Sequence, residues 1–249
     1  MKQICLAALF LLLVTTTASC KPLELVSTEF APYVFTEKGQ IRGVNVDLLK
    51  AIFKQMNMEI HIKIIPWARA LYILQNGYAD AVFPLFKTRE RTLYTDYSDA
   101  FTTENTSLFV LKNAPIQWNG NLNDLSGYRF GRVRGYSSGP KIDRFIKNNT
   151  IRLDEVNKTE NNIKKLLAGR FDIMIEAEYV ALFELQKMGR SDDVRMLAVI
   201  QKNLSYLGFS KKRKHLSIIS RFNEILKKMK KDGTYQRIVD NFFQNSPLK

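Results

Sequence analysis

Apolar positions along this chain switch repeatedly between a period near two and a helical period. Leu23–Thr28 and Glu59–Ile65 run apolar or alternate, as strands buried on one or both faces do. Between them Leu48, Leu49, Ile52, Phe53 and Met56 recur at helical spacing after Gly43, with Asn45 in position to cap that helix. Pro66 opens a second helix, Trp67–Asn76, which buries Ala70, Leu71 and Leu74 and stops at Gly77. Ala79–Phe86 is a third strand. Strand, helix, strand, helix, strand in succession predicts right-handed parallel crossovers in an α/β sheet.

A second series follows. Ser107–Lys112 reads as a strand, and Asn113–Asn123, rich in Asn and Gly, marks a change of composition. Strands are expected at Tyr128–Val133, Ile151–Val156, Phe171–Glu176 and Val194–Ile200. Helices are expected at Pro140–Asn148, Glu160–Ala168 and Ala177–Met188. Ser205–Ser210 is a further strand that returns to the first unit. The end is helical, with Leu216, Ile219, Phe222, Leu226 and Met229 on one stripe and Ile238, Val239, Phe242 and Phe243 on another, separated at Asp232-Gly233. One α/β unit is thus interrupted by another. The expected division is a first lobe over 21–110 and 207–249 and an inserted second lobe over 111–206, joined by crossing segments near Leu108–Lys112 and Tyr206–Ser210. A cleft between lobes is a preferred place for a small ligand.

The first residues change the picture of location. Lys2, an apolar run over Leu6–Val14 and a small-residue end form the pattern of a secretory signal peptide over 1–20. Thr17-Ala18-Ser19-Cys20 also admits a lipoprotein anchored at Cys20. Of the two cysteines, Cys5 leaves with the leader, so no intramolecular disulfide is expected. The formal net charge of +14 invites a nucleic-acid partner. Export and the spread of the basic residues point instead to a solvated cationic surface.

The candidate chemistry is recognition. His61 and His215 have no partners at metal-ligand spacing, and there is no HExxH, GxSxG, P-loop or GxGxxG, so neither metal, cofactor nor activated nucleophile is expected. Trp67 opens a helix after a strand, as a ligand platform or a cap on the core. Arg69, two residues on, points elsewhere, to a site or to solvent. Arg91 follows Thr88 in a loop after a buried strand, where a guanidinium can grip a carboxylate bidentately. Gly135-Tyr136-Ser137-Ser138 offers hydroxyls and N–H groups at a helix start. Glu176 ends a strand, to meet an ammonium or simply to be solvated.

The ordered motifs carry more than any one residue. They are Phe30-Ala31-Pro32-Tyr33, Gly43-Val44-Asn45-Val46-Asp47-Leu48, Gly77-Tyr78-Ala79-Asp80-Ala81, Thr88-Arg89-Glu90-Arg91, Tyr97-Ser98, Gly127–Gly135, Gly169-Arg170-Phe171-Asp172 and Lys231-Asp232-Gly233-Thr234-Tyr235. Together they resemble the family 3 extracellular solute-binding proteins of bacterial ABC importers, which include the polar amino-acid-binding proteins. The resemblance implies a two-lobed periplasmic-binding fold hinged on two crossing strands. It also implies a monomer that hands a small solute to an ABC permease in the inner membrane. By position Phe30 and Trp67 would be aromatic walls, Pro84 and Phe86 strand-end contacts, Arg91 the carboxylate holder and Ser137 a hydrogen-bonding group of the second lobe. The sequence departs from the amino-acid binders at Ala177, where their pattern has an acid; Glu176 and Glu178 flank it. The Pro66-Trp67-x-Arg69 turn resembles a divergent branch. Alternatives on the same fold are a dehydratase-type cleft enzyme with Glu176 as its acid, and a sensor for a signalling partner.

Overall fold

The computed structural model describes residues 21–148 and 151–244, so the leader and Cys20 lie outside the described residues. Strand β1 (Leu23–Ser27) leads into a loop whose ends bridge at Phe30 and Val34. A short hairpin follows, β2 (Phe35–Glu37) and β3 (Gln40–Arg42), then helix α1 (Val44–Gln55). The hairpin is absent from the apolar pattern because it is largely exposed; only its turn at Lys38-Gly39-Gln40 leaves a trace in the sequence. Asn45 does not cap α1. Gly43 holds that place, and Asn45 is buried in the first turn with its N–H donated to the Tyr33 carbonyl.

Strand β4 (Ile60–Ile64), helix α2 (Trp67–Asn76) and strand β5 (Ala81–Phe86) complete the expected crossovers, with β1 parallel to both β4 and β5. Helix α2 ends at Gly77 in the left-handed region, φ 74°, which favours glycine. Pro84, which has no N–H for a ladder, sits where the register of β5 shifts between Tyr206 and Gly208 opposite it. A 3-10 turn at Arg91–Leu93 and strand β6 (Thr95–Tyr97) follow.

The two crossing strands are longer than their apolar residues indicate. Strand β7 covers Thr102–Leu111, starting five residues before the Ser107 expected from hydropathy. The second segment is one 17-residue strand, which we number after the intervening elements. Those elements are β8 (Arg129–Val133), α3 (Pro140–Asn148), β9 (Arg152–Val156), α4 (Thr159–Leu167), β10 (Ile173–Ala177) and α5 (Glu178–Lys187). Strand β11 then runs Val194–Ser210 without the break expected between Ile200 and Ser205. Thr102–Thr106 and Gln201–Ser205 are largely polar even where buried, at Thr102, Glu104, Thr106, Asn203 and Ser205, so hydropathy reports them as loop. Their backbones nonetheless pair antiparallel from Val194↔Leu111 to Ser205↔Thr102. Helices α6 (Leu216–Lys231) and α7 (Thr234–Gln244) close the chain.

The strands form one path, β4-β1-β5-β11-β7-β10-β8-β9, with β6 beside β11. One core gathers Leu25, Leu48, Phe53, Phe83, Phe209 and Phe222 around the first half. Two others lie on either face of the second half, around Phe130, Ile142 and Ile173 and around Ile163, Phe171 and Leu185. Helix α5 ties the halves together outside the cleft. Val180 is buried in the first core, Phe183 packs on Phe35 at 5.5 Å and Tyr179 on Phe243 at 5.4 Å. Among the described residues no helix is long and apolar enough to cross a membrane.

Candidate functional site

The cleft lies at the carboxyl ends of β1, β5, β8 and β10, where loops leave an α/β sheet free to meet a ligand. From the first half come Phe30, Trp67, Pro84, Phe86 and Arg91; from the second come Tyr136 and Ser137. They surround a cavity, partly open to solvent, with room for water-sized groups over only ≈ 40 Å³, whose lining Thr28 and Glu104 complete. A second cavity of ≈ 30 Å³ shares Phe30, Phe86, Glu104, Tyr136 and Ser137 and continues to Arg132, Glu176 and Ala177. The structure therefore brings seven of the eight expected residues to one cleft. The eighth, Arg69, is exposed and lines neither cavity.

Arg91 is not the exposed residue a loop position implies. Only 6% of it is accessible. The Thr88 hydroxyl accepts its backbone N–H at 3.2 Å, which starts the 3-10 turn. Its guanidinium donates to the Phe86 carbonyl at 3.0 Å and the Gly135 carbonyl at 3.4 Å, and lies 5.6 Å from the centroid of the Trp67 ring. Burial draws its pKa down, against the pull of Tyr94 and Tyr97. The Trp67 indole N–H donates to the same Gly135 carbonyl at 3.1 Å. Gly135 presents that carbonyl from the left-handed region, φ 74°. One backbone oxygen of the second half thus receives both a ring N–H and a guanidinium of the first.

Tyr136 meets the walls edge-on, 5.8 Å from Phe30 and 5.9 Å from Trp67. Its phenol is pushed well up, chiefly by burial and further by the charge of Glu176. Ser137 is less free than its position implies. Its hydroxyl donates to Asp143 Oδ2 at 2.5 Å and accepts from the Gly139 N–H at 3.3 Å, while Asp143 Oδ1 accepts the Ser138 N–H. The proton of Ser137 is committed to the first turn of α3, leaving a lone pair and the loop backbone to face the cavity.

The floor is acidic. Glu176 is 4% accessible, and its Oε1 accepts the Ala177 N–H at 3.1 Å. Burial pushes its pKa up to about 7, against a smaller pull from that N–H. Glu104 on β7 is 2% accessible. Burial, aided by the charge of Glu176, pushes it up to about 8; the nearby Ser205 hydroxyl opposes the shift without forming a properly directed hydrogen bond. Of the two acids flanking Ala177, Glu178 turns away from both cavities and accepts from Asn105 Nδ2 at 2.8 Å. Glu104 escapes sequence reasoning because Thr102-Thr103-Glu104-Asn105-Thr106 looks like a polar loop. Its one signal is the β-branched Thr content of that stretch, three of five residues.

Residues 25–245 match the bacterial extracellular solute-binding proteins, family 3. The chain is 24% identical over 219 residues to the arginine-binding extracellular protein ArtP of Bacillus subtilis (strain 168), covering 87% of this chain and 84% of the relative. Among solved structures, a histidine kinase sensor domain with similarity to periplasmic binding proteins superposes with TM-score 0.79 at 19% identity, over 90% of this chain and 96% of that one. The ancestral amino acid-binding protein AncCDT-1, a precursor of cyclohexadienyl dehydratase, superposes with TM-score 0.74 at 23% identity, over 89% and 95%. These structures share the two-lobed fold. With the match running through both halves, the chain belongs to the bacterial extracellular solute-binding proteins, family 3.

Proposed function

We propose that the protein is a non-catalytic receptor outside the cytoplasm that closes on a small carboxylate-bearing solute, an amino acid or a relative of one, and presents it to an ABC permease. The observation that carries this is the buried Arg91 guanidinium in the cavity wall. Two of its N–H groups are anchored on backbone carbonyls, and among the described residues its charge forms no ion pair, although the Glu104 carboxyl lines the same cavity. A desolvated, pre-positioned guanidinium of this kind favours a carboxylate by charge and by shape. The amino-acid-binding relatives, ArtP among them, support the solute class.

In this proposal residues 1–20 are the export signal, with Cys20 as a candidate lipid anchor. Residues 21–110 with 207–249 and residues 111–206 are the lobes, and β7 and β11 flex between them. Closure transmits a signal because the solute binds the closed form more tightly than the open one. Phe30, Trp67, Pro84 and Phe86 supply the apolar walls, and Ser137 with its loop backbone supplies the far side.

A thermal-shift screen of the mature protein against L-arginine, L-glutamine, succinate, putrescine and a dipeptide tests it. A ligand at 100 times its dissociation constant adds about 2.7 kcal/mol of stability. Stabilisation by carboxylate-bearing solutes is expected; stabilisation by none of them overturns the proposal. A second reading, a dehydratase-type enzyme, draws on the buried acid Glu176 in the same cleft. Product formation from arogenate or prephenate by the purified protein separates it from the receptor.

A further inference from the structure

We propose that the base of the first half, at the amino ends of β1 and β5, is a docking surface for anionic phospholipid. The inference takes from the receptor reading only its placement outside the cytoplasm, and it concerns the pole opposite the cleft. There the Asp80 N–H donates to the Glu24 carbonyl at 2.9 Å and the Ser210 N–H to the Asp80 carbonyl at 2.9 Å. The start of β1, the start of β5 and the end of β11 thus meet. A short 3-10 turn, Lys211–Arg213, follows β11 directly, so that Lys211, Lys212, Arg213 and Lys214 form a run of four exposed cations.

Apolar side chains stand among these cations. Tyr72, Tyr78, Leu93 and Leu216 are 58%, 67%, 78% and 66% accessible, the four most exposed large apolar side chains among the described residues. All four adjoin the basic run. The Tyr72 and Tyr78 rings lie 6.5 Å apart, and Arg213 Nε donates to the carbonyl of Gly77, next to Tyr78, at 2.7 Å. Lys211 brackets Leu93, donating its Nζ to the Thr92 carbonyl at 2.6 Å and its N–H to the Tyr94 carbonyl at 3.1 Å. Leu216 opens α6 two residues after Lys214.

The acids of this pole do not neutralise the run. Asp80 pairs with His215 Nε2 at 2.8 Å and lies 3.7 Å from Arg213, while Glu24 is taken by Lys63 at 2.6 Å and His61 at 3.2 Å. Among the described residues Lys212 and Lys214 form no ion pair. A soluble polyanion would meet the cations and leave the apolar side chains in water. A headgroup layer takes both, phosphates against lysines and arginine, tyrosines and leucines at the edge of the acyl region. Strand β1 also begins at this pole, three residues after Cys20, the candidate lipid anchor. One acyl chain alone holds a protein only marginally, and a basic patch beside it supplies the second signal. Seated in this way, the cleft at the carboxyl ends of the strands faces away from the lipid and remains accessible to solute.

Co-flotation with vesicles tests the surface, using the mature chain from Lys21, which carries the whole described fold. The vesicles are phosphatidylcholine alone and phosphatidylcholine with about 30% phosphatidylglycerol, each at low and at physiological salt. Binding to the anionic vesicles, weakened by salt, and none to the neutral ones is expected. Lys212→Gln with Lys214→Gln should bind about 25-fold more weakly at low salt, about 5-fold for each cation removed. Arg152→Gln with Arg170→Gln, an equal loss of charge from exposed positions of the second half, should bind as the wild type does. Tyr78→Ser should weaken binding without changing its salt dependence. Melting temperature and solute affinity should stay at wild-type values in every variant, so lost docking is not lost folding. Absence of binding to the anionic vesicles, equal binding to neutral ones, or equal loss in the two double variants overturns the proposal. So does capture by soluble polyphosphate with no vesicle bound. The receptor reading is decided separately, by the solute screen.

Discussion

The Trp67 indole and the Tyr136 phenol meet edge to face, ring centroids 5.9 Å apart and planes at 81°. Trp67 opens helix α2 after β4 in the first lobe and Tyr136 lies in a loop of the inserted unit, so the contact spans the cleft. Tyr136 also meets Phe30 edge-on. The space against the two aromatic walls is therefore occupied by the protein's own ring.

Truncating that ring should expose Trp67. Trp118 packs against the second core, so a Trp118→Phe background isolates the emission of Trp67. In that background Tyr136→Ala should shift emission to longer wavelength. It should also cost about 3 kcal/mol, as large-to-small changes at buried aromatics do. Unshifted emission would show that the two rings do not shield each other in solution.

Arg91 is expected to act by fork geometry as much as by charge. Arg91→Ala should weaken a carboxylate-bearing ligand by about 2 kcal/mol or more, near 30-fold in Kd. Arg91→Lys should recover only a minor part. An ammonium cannot hold the Phe86 and Gly135 carbonyls and still present two parallel donors to a carboxylate. Titration of both variants with whichever solute stabilises the wild type reads this directly, and equal affinity of Arg91→Lys and wild type removes the fork from the account.

Much of the fold was legible because its apolar residues keep a strict period. Trp67–Asn76 and Pro140–Asn148 are helices over the spans their spacing predicts. Where the chain lines the cleft, hydropathy fails for a physical reason. Thr102–Thr106 and Gln201–Ser205 are strand residues whose buried positions are polar, with Glu104 and Thr106 lining the cleft, so no apolar pattern marks them. The same cause hid Glu104. The exposed hairpin β2–β3 has no buried face to write a pattern. Arg91 was legible as a candidate, but its burial was not, since the bonds that hold it go to backbone carbonyls, one nearby at Phe86 and one 44 residues away at Gly135.

Two acids of the family motifs serve the scaffold instead of the site. Asp80 Oδ2 accepts the Glu24 N–H at 2.8 Å and its Oδ1 pairs with His215 Nε2 at 2.8 Å, joining β1, the start of β5 and α6. Asp172 repeats the device in the second lobe, its Oδ2 accepting the Arg129 N–H at 2.8 Å and its carboxylate gripping the Arg129 guanidinium. Asp172→Ala should lower stability by about 1–3 kcal/mol, measured by urea unfolding, because it strands the β8 N–H. It should leave solute affinity unchanged. Lost affinity in a folded Asp172→Ala protein would place this bracket in the binding machinery.

The buried acids also set how stability depends on pH. Glu104 and Glu176 hold their protons up to about 8 and about 7 in the folded protein, against an ordinary value of 4.5. Between those limits the folded state binds more protons than the unfolded chain. Stability therefore falls as pH rises, by at most about 1.4 kcal/mol per pH unit for each group, and levels off above pH 8. The acids with depressed values, Asp172 under Arg129 and Glu24 under Lys63, contribute the opposite slope only at lower pH and do not mask the effect. Melting temperature measured from pH 5 to pH 9 without solute should decline to a plateau. Glu104→Gln should remove the part of the decline between pH 7 and pH 8, because an amide of the same shape has no proton to lose. A profile in which the wild type gains stability from pH 5 to pH 8, or in which Glu104→Gln follows the wild type throughout, would mean that the acid on the crossing strand is already ionised at the floor of the cleft.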